Sequence, residues 1–351
     1  MRILLISAKS DMVKGGIATW TKYYLSACEK NEISCDVVNT VVVGRRAMNA
    51  TAKTSIIDEI KRTQNIFQEE KHFLRSQAYD IAHLNTNIGS YGIIRDYFLA
   101  KRIAKRKIQL VIHFHCCVSD CARSRLIRRY IKKILSLSNI AFVLNSKDKD
   151  FLETEFSVQS IPVANFVDEK TIVSSKDIGE KVNKIVFVGR VSKAKGCDII
   201  FDLAKRFPYI SFELIGEVSE EFLLVEKAPN ISLLGKLSHD DVLRHMDEAD
   251  IFLFPSRTEG FSLALSEAMA RGLPVIAADV GANAEMVENQ GGIIVQTGDT
   301  QKFREAIEKL FEADIREKMS KWNIEKVSKN YTTKKVFELF LKYYEDISGV
   351  Q

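Results

Sequence analysis

The feature that most constrains the fold of this chain is the regular return of short apolar runs that do not alternate with polar residues. Residues 3–7, 35–43, 81–84, 110–114 and 140–144 are such runs, each bounded by polar residues, and a glycine pair (Gly15, Gly16) with a helical stretch over about 18–29 follows the first. A strand that is apolar at every position is buried on both faces, which is the condition of a parallel sheet covered by helices. The pattern breaks over 161–181, where Val167-Asp168-Glu169-Lys170 and Ser174-Ser175-Lys176-Asp177 are polar, and restarts over 184–189, 211–216, 231–235, 251–255, 274–278 and 293–295. At 351 residues the chain also exceeds the length that one core usually serves. The expectation is two Rossmann-like α/β domains, 1–168 and 182–331, with a linker in the polar stretch. A last helix over about 334–347, with Val336, Leu339, Phe340 and Tyr343 at helical spacing, leans back to complete the first domain with residues 332–351. Ligands of such sheets bind outside the carboxyl ends of the strands, so two facing domains place the active site in the cleft between them.

Composition removes several classes. No window of 18 apolar residues exists and the N-terminal apolar run is too short for a signal-peptide core, so a cytoplasmic protein without a membrane span is expected. The six cysteines then read as thiols. Cys116, Cys117 and Cys121 lie close together but lack a CxxC pair and a second ligand cluster, so no metal site is expected. The net charge is only +5, yet eleven cations fall between Lys101 and Lys133, opposed by Asp120 alone. This stretch suits a solvated helix face or a contact with an anionic membrane or lipid diphosphate. No nucleic-acid motif accompanies it.

Four segments carry chemistry. In Asp250-Ile-Phe-Leu-Phe-Pro-Ser-Arg-Thr-Glu259-Gly260-Phe261-Ser262-Leu263, a buried strand gives way to a loop and then a helix beginning near Phe261. Gly260 allows close backbone approach, and the first helical amides, of Phe261, Ser262 and Leu263, lack intrahelical acceptors and suit a phosphate. Glu259 precedes the helix, within reach of a sugar beside that phosphate. Glu267, two turns in, is either a solvated helix residue or an acceptor for two ribose hydroxyls. In Phe187-Val-Gly189-Arg190-Val-Ser-Lys-Ala-Lys195-Gly196, a strand ends at glycine and two cations follow, Arg190 for a bidentate grip on a diphosphate and Lys195 as a point charge. The pair Gly15-Gly16 is either a plain turn or a place where amides face a ligand. In Val111-Ile-His113-Phe-His115-Cys116, alternation sets His113 and His115 on one face of a strand end, as hydrogen-bonded core histidines, as catalytic groups, or less readily as metal ligands.

These residues resemble glycosyltransferase family 4. Glu259 and Glu267, with seven residues between them, are similar to that family's E-x7-E motif, and Gly189-Arg190 with Lys195-Gly196 to its GR…KG segment. The Gly-Gly loop, the strand-end histidine and Asn165 with Asp168 fit as well. The resemblance is tight from Gly189 to Glu285 and loose over the first 160 residues. It departs in Phe166, where the family often has Gly or Pro, and in the single glycine of Gly281-Ala282-Asn283-Ala284-Glu285. It implies the GT-B fold and cofactor-free, metal-independent transfer, with retention, from a nucleoside diphosphate sugar such as a UDP- or GDP-sugar. Arg190 and Lys195 then stabilise the leaving diphosphate, Glu259 holds the donor sugar and Glu267 the ribose. His115, favoured over His113 by the Phe-His-Cys order, orients the reacting sugar, Gly16 lies near the phosphate, and the base rests near Gly216, Leu234 and Gly235. The implied acceptor is a glycan or lipid-linked sugar in bacterial surface polysaccharide assembly. A sugar-nucleotide epimerase of similar architecture and a non-catalytic nucleotide-sugar-binding protein are the competing readings.

Overall fold

A computed structural model describes residues 1–9, 16–41, 56–89 and 91–349. The chain divides into two compact units, one formed by 1–166 with 333–351 and the other by 167–332. Each holds a six-stranded sheet whose strand pairs are all parallel.

In the first unit the strands are β1 (Arg2–Ser7), β2 (Ser34–Asn39), β3 (Ile81–Thr86), β4 (Gln109–Phe114), β5 (Ile140–Val143) and β6 (Ile161–Pro162), in the order β2-β1-β3-β4-β5-β6. The apolar runs divide their side chains between the two faces. Leu4, Ile6, Ala82, Leu84, Leu110, Ile112 and Phe114 belong to one core with Ile66, Ile93, Leu99, Ile103 and Ile131 from helices. Ile3, Leu5, Ile81 and Val111 belong to the other, with Trp20 and Tyr24 of helix Gly16–Lys30 and Val336, Phe337, Phe340 and Tyr344 of helix Thr333–Ser348. The last helix packs here because Phe337, Phe340 and Tyr344 repeat at helical spacing and are almost wholly buried. The hydroxyls of Tyr24 and Tyr344 share a hydrogen bond of 2.8 Å.

The second unit orders its strands β12-β11-β10-β7-β8-β9, with β7 Lys184–Val188, β8 Ser211–Ile215, β9 Ile231–Gly235, β10 Ile251–Phe254, β11 Val275–Ala278 and β12 Gly292–Val295.

The stretch expected to be a linker is structured. Ile161 and Pro162 form β6, paired with Phe142 and Val143. Beyond it the backbone is tied to the second unit: the Val167 amide donates to Tyr331 O (2.8 Å) and the Val173 amide to Ala270 O (3.1 Å). Lys176 donates to Met246 O and Asp247 O, and Arg271 to Thr171 O. The segment shows no periodicity because it is tied to the ends of helices of the second unit rather than to a repeating ladder.

Candidate active site

In the second sheet the strand order reverses between β7 and β10, with β8 and β9 on one side and β11 and β12 on the other. A reversal of this kind opens a crevice at the carboxyl ends of the two central strands, where ligands of open α/β sheets bind. Gly189 follows β7 and Pro255 follows β10. The two charged segments singled out from the sequence therefore leave the sheet side by side.

Several contacts hold them together. The Lys195 ammonium lies 2.5 Å from Glu259 Oε1, with side-chain exposures of 29% and 12%. Arg257 pairs bidentately with Asp198 at 2.6 and 2.7 Å, its guanidinium also reaches Lys193 O, and its amide donates to Ala194 O at 2.9 Å. Gly196 has φ +73°, and a Cβ there would stand 2.0 Å from Pro255 O, so only glycine lets the loops approach. The Lys195–Glu259 pairing was not evident in the sequence, where the two lie 64 positions apart. Arg190 is exposed at the end of β7, and among the described residues no carboxylate pairs with it.

The helix after β10 begins later than its sequence suggests. It spans Leu263–Ala270, and Ser262 is its N-cap, with the hydroxyl accepting from the Leu265 amide at 3.2 Å. The amides left without intrahelical acceptors are thus those of Ser262, Leu263 and Ala264, and Phe261 lies before them. Phe261 is buried instead, with its ring edge-on to Tyr331 at 5.5 Å. Gly260 O accepts from the Ala282 amide at 2.9 Å, and Gly281 has φ +55°. A Cβ on Gly281 would lie 2.4 Å from Glu259 O, so one glycine suffices to seat the Glu259–Gly260 loop.

Glu267 is not a solvated helix residue. It is 15% exposed, and Oε1 lies 3.0 Å from Nε2 of His239, itself 48% exposed. An ionised carboxylate only accepts, so Nε2 carries the proton. The hydrogen bond to Glu267 raises the His239 pKa above the usual histidine value, with Asp240 and Asp168 acting in the same sense. His239 opens helix His239–Glu248, capped by Ser238. Sequence reasoning missed it, although Ser238-His239-Asp240-Asp241 is a readable helix start. Near by, the Gly216 amide donates to Gly235 O at 2.8 Å, and the β8–β9 register passes from Leu214↔Leu233 to Ile215↔Gly235, which leaves half-buried Leu234 as a bulge.

The remaining candidates lie in the first unit. Gly16 opens helix Gly16–Lys30 with open space where a Cβ would stand, while Gly15 lies outside the described residues. His115 sits one residue beyond β4, its amide donating to Thr86 O at 2.9 Å. Its ring is 4.0 Å from that of His113 and 5.0 Å, edge-on, from Trp20. His83 joins the group, 5.4 Å from both Trp20 and His113, with Nδ1 2.5 Å from the Tyr344 hydroxyl. Burial lowers the pKa of His115 and His83 to about 3 each and drives His113 well below the ordinary value. His113 is a core residue, but not a hydrogen-bonded one: neither ring nitrogen has a partner among the described residues. Its ring packs on aromatic neighbours, which satisfies shape and not polarity. Trp20, His83 and Tyr344 carried no motif that could have announced them.

Among the described residues no group of three or more His, Cys, Asp or Glu side chains could hold a metal. Asp148 accepts from the amides of Val118 and Ser119 at 2.9 Å each and from the Cys117 thiol at 3.6 Å. The basic stretch is partly engaged: Arg102 pairs with buried Glu70 at 3.0 Å, Arg128 with Glu155, and Lys133 lies over the rings of Tyr97 and Tyr130. Lys101, Lys105, Arg106, Arg125, Arg129 and Lys132 are exposed. No helix of the described residues is long and apolar enough to cross a membrane.

Residues 168–326 match the family model of glycosyl transferases group 1, which covers the second unit almost entirely. The chain is 26% identical to an uncharacterized glycosyltransferase of Methanocaldococcus jannaschii, over 81% of this chain and 80% of that one. It is 23% identical to an O-antigen biosynthesis glycosyltransferase of Escherichia coli, over 88% and 89%. Among solved structures, sucrose-phosphate synthase from Thermosynechococcus elongatus superposes with a TM-score of 0.81 at 15% identity and covers both chains completely. The fold is that of the GT-B glycosyltransferases, built here from two α/β units with parallel six-stranded sheets.

Proposed function

We propose that the chain is a retaining, metal-independent glycosyltransferase that moves a hexosyl or N-acetylhexosaminyl group from a UDP- or GDP-sugar to a glycan or lipid-linked acceptor during bacterial surface polysaccharide assembly. The observation that carries this reading is the meeting of Lys195 and Glu259 at the switch point of the second sheet, with Arg190 in the segment that leads to Lys195 and helix Leu263–Ala270 in the one that follows Glu259. When the bond between the anomeric carbon and the diphosphate oxygen breaks, negative charge grows on the diphosphate. Cations already in place stabilise that charge without reorganising, so Arg190 and Lys195 act on the transition state. The amides of Leu263 and Ala264 add the field of a helix N-terminus. Glu259 is held by Lys195 with Oε2 left for hydroxyls of the donor sugar, and Glu267 takes the ribose. Gly216, Leu234 and Gly235 border the base, where a bulged strand end exposes backbone groups. In the first unit, His115 stays neutral at physiological pH, as befits a group that orients a sugar by hydrogen bonding, and Gly16 serves the phosphate side.

We extend the proposal to the exposed cations between Lys101 and Lys132, which suit contact with the cytoplasmic face of an anionic membrane. Tyr91, Phe98 and Leu126, which are 75%, 45% and 54% exposed, supply apolar contact beside them. The epimerase and the non-catalytic binding protein stay as rivals, separated by whether nucleoside diphosphate is released only when an acceptor is present.

Thermal melting against a panel of nucleotides and nucleotide sugars tests the reading. A ligand that binds only the folded form raises the midpoint, by about 2.7 kcal/mol of stabilisation at a hundredfold excess over Kd. A shift with UDP or GDP that is lost in Arg190→Ala supports the proposal. No shift with any nucleotide near millimolar concentration overturns it.

A further inference from the structure

We infer that His239 is a positioning residue for the donor nucleotide, acting through Glu267; this rests on the assignment of Glu267 to the ribose. His239 Nε2 donates to Oε1 of Glu267 at 3.0 Å and is more exposed than the carboxylate it covers. A carboxylate has about four lone-pair sites on two oxygens, so one bond to Oε1 leaves Oε2 and part of Oε1 for the two hydroxyls of a ribose. The bond fixes the rotation of the carboxylate before any ligand arrives, and that ordering then need not be met on binding.

Three acidic groups act on His239 against the opposing effect of burial: Glu267 from helix Leu263–Ala270, Asp240 from its own helix, and Asp168 from the segment that precedes the second sheet. They hold the ring protonated to higher pH than usual. The protonated ring grips Glu267 more strongly. The geometry thus ties donor affinity to the charge on His239: affinity is highest where the ring is charged and declines as pH rises through its raised pKa. The neutral ring can still donate from Nε2, so the decline is partial. His239 touches neither the sugar nor the diphosphate in this assignment, so it acts on binding and not on the chemical step.

The test is the affinity of the full-length protein for UDP and GDP by calorimetry, with steady-state kinetics wherever turnover is measurable. His239→Ala should weaken the bound nucleotide about tenfold, the size of one hydrogen bond to a charged group, with kcat unchanged. His239→Gln should recover part of the loss but not the pH dependence. The deciding arm uses the same nucleotide lacking both ribose hydroxyls. Its affinity should be the same in wild type and in His239→Ala, because the path through Glu267 is then absent. Glu267→Gln separates the two levels of the argument. If it leaves nucleotide affinity unchanged, the ribose assignment falls and the inference with it. If it weakens binding while His239→Ala does not, the inference alone falls. Tighter binding in His239→Ala also overturns it, since His239 would then be a competitor for the carboxylate rather than its guide. Because His239 is half exposed, its loss should leave the unliganded melting point unchanged, which keeps a folding defect apart from a binding one.

Discussion

The two units set their polar groups at the ends of their sheets by opposite means. In the second, charged groups pair across neighbouring strand ends, Lys195 with Glu259 and Arg257 with Asp198, and His239 bonds Glu267 between two helices, each partner reaching some solvent. In the first, the groups at the corresponding place are rings. His83, His113 and His115 stack among Trp20, Phe142 and Phe340, with their charge suppressed by burial. A paired charge can answer a developing charge on a ligand, whereas a neutral ring can only shape and hydrogen-bond it. The difference teaches that a shared architecture leaves the electrostatics of each half free, and it predicts that the halves will fail under different stresses.

Acid should separate them most strongly. A histidine kept neutral in the fold but able to protonate when unfolded costs stability as pH falls below its unfolded value of about 6.5, at about 1.4 kcal/mol per pH unit. Burial lowers His83 and His115 to about 3 and His113 well below the ordinary value, so all three carry the loss down as pH falls. Glu70 opposes them. Burial raises its pKa to about 7, so it gains stability as pH falls until its unfolded form also protonates. Three lowered histidines outweigh one raised carboxyl, so the net expectation from about pH 6.5 to about pH 4 is a loss of stability. The chain has two tryptophans, Trp20 in the first unit and Trp322 in the second. Urea unfolding of Trp322→Phe followed by fluorescence therefore reports the first unit alone. Acid-independent unfolding of that unit would break the contrast.

The second unit should answer to removal of one charge. Lys195→Ala is expected to lower turnover about 10²-fold, the scale for loss of one preorganised contact to developing charge. Near-normal turnover in a transfer assay would remove Lys195 from the mechanism. The unliganded melting point should move far less, because the Lys195–Glu259 pair is partly exposed and such pairs add about 1 kcal/mol or less.

The same contrast governs what could be read beforehand. Runs such as 140–144 and 251–255 are apolar at every position, and that alone specifies a buried parallel strand, so the fold class was open to inspection. In the second unit the candidate residues stand in segments of about ten positions, because strand, loop and helix follow one another directly. What stayed hidden are pairings set by strand order. Lys195 meets Glu259 only because β10 is neighbour to β7 rather than to β9, and His239 meets Glu267 across two helices. The first unit hid more, since its ring cluster draws Trp20, His83, His115 and Phe340 from four separate elements with no local spacing to connect them. The helix expected near Phe261 begins two residues later, at Leu263, because the Ser262 hydroxyl occupies the cap.

The smallest expected effect concerns the outer face of the first unit. Reversing Arg128 is a poor probe of membrane contact, since its guanidinium is already held by Glu155 and packs over Phe151 and Phe156. Arg129 and Lys132 are exposed on the same helix, Arg125–Leu135. An exposed cation near an anionic surface contributes about 1 kcal/mol, so neutralising both to Gln should weaken binding to vesicles rich in anionic lipid roughly 30-fold. Lys321 and Lys329 of the second unit are 76% and 68% exposed, each paired with a glutamate four residues before it. Their neutralisation should leave vesicle binding as it is. Electrostatic attraction that depended on net charge alone would treat the two pairs of variants alike. Unequal losses would show that the membrane reads one face of one unit, and equal losses would end the distinction on this surface.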